Sequence, residues 1–96
     1  MLLDPKHRAA LVAIFAQHLP TNTVVWAYGS RVNGAAHSGS DLDLVVLPTL
    51  EYAALARCRQ ALQASNIPFL VQLHAWSALP ATFHTEIMRQ YVVFYP

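Results

Sequence analysis

The run Asp41-Leu42-Asp43-Leu44-Val45-Val46-Leu47 sets two carboxylates one residue apart at the head of an apolar segment. Side chains alternate along a strand, so Asp41 and Asp43 leave one face while Leu42, Leu44 and Val46 leave the other. A fold for this chain must therefore bury one face of the strand and keep two neighbouring aspartates accessible. Carboxylates held this close repel each other unless a cation lies between them or one takes up a proton. The chain has five acidic residues in all, so two of them at this spacing inside an apolar run are costly.

Upstream, Thr23 to Tyr28 is β-branched and aromatic and reads as a buried strand ending at Gly29-Ser30. The chain then turns into a short helix reaching about Ala36, followed by a flexible loop, His37-Ser38-Gly39-Ser40. Free amides and the helix dipole favour anions at such a turn. Glycine lets a phosphate approach the backbone, and the Ser30 hydroxyl can donate to it. Alone, this would be an ordinary strand-to-helix turn. Asp41 and Asp43, however, are hard oxygen ligands suited to Mg²⁺, which takes one or two carboxylates together with phosphate oxygens and water. An anion-binding turn beside a metal-binding pair suits metal-assisted phosphoryl or nucleotidyl transfer.

The remaining segments predict a single domain over residues 1–96. Asp4-Pro5 starts a helix running to about His18. Asp41 to Leu47 is the second strand, stopped by Pro48. Glu51 to Ala64 is a helix with Thr49 as a candidate N-cap, Phe69 to His74 a third strand, and Pro80 to Gln90 a last helix. Tyr91 to Tyr95 reads as an apolar tail. The order α-β-α-β-α-β-α gives an α/β (α+β) domain, a small mixed sheet flanked by helices.

Composition narrows the function classes. Charged residues make up 11% of the chain, against roughly 25% in an average soluble domain. With 55% hydrophobic residues, a buried partner interface is the expected destination of the apolar surplus. The net charge is +1 and the Lys and Arg residues form no run, which argues against direct nucleic-acid binding. The histidines at 7, 18, 37, 74 and 84 show no zinc spacing, and no G-x-S-x-G elbow supports a hydrolase. One cysteine, Cys58, allows no internal disulfide and fits the cytoplasm. No apolar run approaches the ~18 residues of a membrane span.

Gly29-Ser30 followed by Ser40-Asp41-Leu42-Asp43-Leu44 resembles the signature of the polymerase-beta-like nucleotidyltransferases, and the small size resembles their minimal nucleotidyltransferase (MNT) branch. Ile67 to Trp76, with Phe83, Glu86 and Ile87, is similar to the C-terminal half of that branch. The resemblance implies a nucleotidyltransferase fold, with Gly29, Ser30, Arg31 and Ser40 binding a nucleoside triphosphate such as ATP. Asp41 and Asp43 would hold Mg²⁺ while a hydroxyl attacks the α-phosphate and pyrophosphate leaves. The family's third carboxylate belongs on the strand Phe69 to His74, where this chain has Gln72; by alternation Gln72 and His74 share one face of that strand and Phe69, Val71 and Leu73 the other. A glutamine carbonyl can coordinate Mg²⁺ but cannot act as a general base. MNT proteins commonly act as antitoxins of helical HEPN-domain toxins, so the resemblance implies a HEPN partner in a hetero-oligomer. Two readings stay open: an enzyme transferring AMP to that partner, favoured by the retained aspartate pair, or an impaired module that neutralises or organises it by binding, favoured by Gln72.

Overall fold

The computed structural model describes all residues, 1–96. Helix α1 (Pro5–His18) opens where the Asp4 side chain accepts a 2.8 Å hydrogen bond from the Lys6 N–H, with Pro5 in the first turn. Strand β1 (Val24–Tyr28), the short helix α2 (Ser30–Asn33) and strand β2 (Leu42–Leu47) follow. Helix α3 (Tyr52–Ala64) leads to β3 (Val71–Ala75), a 3₁₀ turn at Trp76–Ala78, helix α4 (Ala81–Arg89) and strand β4 (Tyr91–Tyr95). The strands form one sheet in the order β3-β2-β1-β4. β1 runs antiparallel to both β2 and β4, and β2 runs parallel to β3, so the expected mixed sheet is present.

One face of the sheet carries the main core. Val25, Ala27, Leu42, Leu44, Val46 and Leu73 pack beneath Leu11 and Phe15 of α1 and Leu55, Cys58 and Leu62 of α3. The other face is covered more thinly, by Trp76, Leu79 and Ile87 over Tyr28, Val45 and Trp26. β2 is therefore apolar on both faces at Val45 and Val46, while Asp43 at its start is only half-buried.

Three expectations are corrected. Helix α2 stops at Asn33 rather than near Ala36, because Gly34 takes up a left-handed conformation (φ 86°) that ends the helix. The apolar tail is a strand, paired to β1 from Val25 to Tyr28. A register shift between Val25 and Trp26 lets adjacent residues Phe94 and Tyr95 both reach Phe15. Arg8 of α1 fastens this strand, donating to the Phe94 carbonyl at 3.2 Å with its guanidinium 4.6 Å from the Phe94 ring centroid. Thr49 does not cap α3; Glu51 occupies that position without a side-chain hydrogen bond. Some apolar surplus does remain outside, at Tyr52, Leu70, Met88 and Val93.

Phe94 is 2% exposed and joins the last strand to the first helix. Phe94→Ala should lower unfolding free energy by about 3–5 kcal/mol. Urea unfolding followed by circular dichroism measures this directly.

Candidate functional site

The site is built where the end of β1 meets the start of β2. Tyr28 and Asp43 are cross-strand neighbours, and the chain turns immediately after Tyr28. Gly29 makes that turn with φ 83°, a conformation L side chains rarely adopt. A Cβ there would lie 2.5 Å from Asp43 Oδ2, so the Asp43 carboxylate occupies the space a side chain would fill. Helical bonding in α2 begins with Val32 and Asn33 N–H donating to the Gly29 carbonyl, each at 3.0 Å. The amides of Ser30 and Arg31 therefore precede the first helical hydrogen bond. The phosphate turn and the carboxylate that the sequence suggested for a metal are thus in contact.

Asp41 stands exposed one residue ahead of β2, and Gln72 Nε2 donates to its Oδ2 at 3.2 Å. Gln72 lies beside Asp43 in the parallel register of β2 and β3. Both aspartates and Gln72 accordingly gather at one end of the sheet, on the face away from α1 and α3. The Asp43 carboxyl is held above its usual range, first by burial and then by the charge of Asp41, while His74 pulls it back down. Burial, and then Asp43 itself, pushes the Tyr28 phenol up to about 12. His74 and Tyr28 belong to no motif in the sequence. Alternation along β3 put His74 on the Gln72 face, but nothing local revealed that β1 pairs with β2 so as to set Tyr28 against Asp43.

Arg31 does something other than the expected phosphate contact. Its side chain is 3% exposed and donates to the carbonyls of Ser40 (2.9 Å), Leu2 (2.7 Å) and Ser38 (2.8 Å), with the guanidinium 4.0 Å from the Phe69 ring centroid. These bonds secure the loop that delivers Asp41. The Ser40 hydroxyl accepts from the His37 N–H at 3.1 Å and shapes the same loop.

The donor set fits Mg²⁺. Two neighbouring carboxylate groups and an amide carbonyl offer hard oxygen ligands, and no cluster of three or more His, Cys, Asp or Glu side chains forms a complete protein cage. That is the partial shell Mg²⁺ takes when phosphate oxygens and water complete it. On the other side of Gly29 a cleft of about 320 Å³ opens toward α4, lined among others by Tyr28, Asn33, Phe83, Glu86 and Arg89. It is within the size range of small-molecule sites.

A four-stranded mixed sheet with a glycine turn leading into a paired-aspartate strand has the architecture of a nucleotidyltransferase domain. Residues 10–96 match the family described as Polymerase beta, Nucleotidyltransferase, and the chain belongs to that family. It is 37% identical over 86 residues to the "Probable protein adenylyltransferase MntA" of Haemophilus influenzae, across 88% of this chain and 75% of that protein. Among solved structures it is similar to a toxin–antitoxin complex with AMP-PNP (TM-score 0.72, 20% identity, 91% of this chain and 71% of that one). It is also similar to the toxin–antitoxin MntA-HepT (TM-score 0.68, 16% identity, 95% and 71%). A third likeness is to a complex of tri-AMPylated Shewanella oneidensis HEPN toxin with MNT antitoxin (TM-score 0.64, 16% identity, 93% and 69%). At these identities the solved structures establish the shared fold.

The raised Asp43 carboxyl has a consequence for stability. The folded chain holds the Asp43 proton more tightly than the unfolded chain does, so ionisation of Asp43 weakens the fold. That weakening is absent in acid and develops as pH rises from the ordinary carboxylate range through the raised value. Asp43→Asn should therefore raise the melting temperature at pH 7 by a few degrees in the absence of divalent ions. Mg²⁺ should raise it in the native chain and not in the variant, as read by differential scanning calorimetry.

Proposed function

We propose that this chain is a Mg²⁺-dependent nucleotidyltransferase that transfers AMP from ATP onto a HEPN-domain toxin, and so acts as its antitoxin. The observation that carries this reading is the contact between the Gly29 turn and the Asp43 carboxylate, which joins a phosphate site to a metal site. The MntA relative, named as a probable protein adenylyltransferase, supports the protein acceptor and the adenylyl group. The solved neighbours that contain AMP-PNP or an AMPylated HEPN toxin support the nucleotide and the partner. The lone cysteine, Cys58, is buried among apolar side chains and its thiol is pushed up to about 11, an inert group suited to a reducing cytoplasm.

In this reading each residue has a defined task. The side-chain-free Gly29 lets phosphate oxygens approach the backbone, and the Ser30 hydroxyl and the leading amides of α2 donate to them. Asp41 and Asp43 hold the cation, and Gln72 orients Asp41 through its amide hydrogen bond. Bound Mg²⁺ would offset charge developing on the phosphates and the departing pyrophosphate. Arg31 keeps the loop of Ser38 and Ser40 in place, so Asp41 stays beside Asp43.

One observation favours a second reading, a binding module that neutralises its partner by complex formation alone. Gln72 donates to Asp41 where the family's third carboxylate would stand, and an amide accepts no proton from an attacking hydroxyl. The two readings separate in one assay. The chain is co-purified with its HEPN partner, incubated with Mg-ATP, and the partner's intact mass is recorded. The enzyme reading predicts an added AMP mass that disappears with Asp43→Asn, and a rate raised about tenfold or more by Gln72→Glu. A bound partner that gains no mass with ATP, GTP, CTP or UTP would sink the enzyme reading in favour of the binding module.

A further inference from the structure

The site has one unmet electrostatic requirement. A nucleoside triphosphate is a polyanion, yet the arginine next to the phosphate turn, Arg31, is sealed among backbone carbonyls. The chain has only six Lys and Arg residues. Lys6 and Arg8 belong to α1, and Arg57 and Arg59 to α3, the two helices that pack on the opposite face of the sheet. Arg8 is engaged with Phe94, and Arg59 donates to the Leu73 carbonyl at 2.9 Å. Arg89, in the last turn of α4, remains. It lines the same cleft as Gly29, Tyr28 and Asn33.

Arg89 is also free to move. Its partner is Glu86, three residues earlier on the helix, at 3.2 Å, with the two side chains 70% and 67% exposed. Exposed pairs of this kind contribute little to stability, so the guanidinium can exchange Glu86 for another anion at small cost. A phosphate offers it the same two-pronged geometry as a carboxylate, with more charge.

We infer that Arg89 is the phosphate-binding cation of this site, gripping the β- or γ-phosphate of a nucleoside triphosphate laid in the cleft between the Gly29 turn and α4. Glu86 is its resting partner when no nucleotide is bound. The inference rests on the nucleotidyltransferase reading above and extends it by naming a contact on α4, outside the G-S and D-x-D elements. Because Arg89 contacts only the outer phosphates, it separates ATP from AMP.

The test is calorimetric titration of ATP and AMP, each with Mg²⁺, into the native chain and its Arg89→Gln, Arg89→Lys, Glu86→Gln and Arg57→Gln variants. Thermal melts confirm that each variant is folded. Arg89→Gln should weaken ATP about tenfold or more and change AMP less than about twofold. Arg89→Lys should recover part of the loss, Glu86→Gln should bind ATP at least as tightly as the native chain, and Arg57→Gln should match it. Native-like ATP affinity in Arg89→Gln, or equal losses of ATP and AMP, overturns the inference. So does a loss in Glu86→Gln as large as that in Arg89→Gln, which would mean the ion pair serves α4 and not the ligand. Failure of the native chain to bind either nucleotide overturns the nucleotidyltransferase reading along with it.

Discussion

The contact between the Asp43 carboxylate and the backbone of Gly29 is the constraint around which the rest of the molecule is arranged. It requires a residue without a side chain at the end of β1, and a backbone conformation that such a residue adopts readily. It requires β1 and β2 to be antiparallel neighbours in the register that sets Tyr28 opposite Asp43. It requires β2 to be buried on both faces further along, so that its start is rigid while its Asp43 end stays accessible. The product is a carboxylate that the fold holds at a disadvantage, partly desolvated and beside a second negative charge. That disadvantage is the kind expected of a residue kept for binding a cation rather than for stability.

A second, supporting constraint is the buried guanidinium of Arg31. Eight residues separate α2 from β2, and the loop carries Gly34 and Gly39 with little apolar content to anchor it. Arg31 supplies the anchor, satisfying carbonyls on the loop and on the N-terminal segment while stacking on Phe69. A charge this buried is tolerated because each of its three nitrogens meets an oxygen. The arrangement ties the first residues of the chain, the loop and the approach to β3 into one support beneath Asp41. Removing it would disturb the Asp41–Asp43 pair without touching it.

Much of this was legible in the sequence, for physical reasons that differ from element to element. The cap of α1 is local chemistry, and Asp4 before Pro5 announced it correctly. The alternation of Asp41 to Leu47 and of Phe69 to His74 sorted their side chains between two faces as observed, with Leu42, Leu44, Val46 and Leu73 in the core. The last strand was not legible as a strand. Its residues are apolar on every side, its inward pattern is broken by the register shift, and its partner β1 lies more than sixty positions earlier in the chain. Arg31 departs from the phosphate contact that the resemblance implied, because its direction is set by the carbonyls of Leu2, Ser38 and Ser40, which only the folded loop and N-terminal segment bring to it. The family resemblance singled out Gln72 as the third-carboxylate position, but its hydrogen bond to Asp41 depends on the three-dimensional register of β2 and β3.

The central claim is that the turn at Gly29 and the carboxylate of Asp43 form one site, so that nucleotide and metal bind as a unit. The most direct test is the affinity for AMP-PNP measured with and without Mg²⁺, in the native chain and in Asp43→Asn, as a closed thermodynamic cycle. Binding as a unit predicts that Mg²⁺ tightens the nucleotide about tenfold or more in the native chain and has little effect in the variant. Equal Mg²⁺ effects in the two proteins, or none in either, would contradict it.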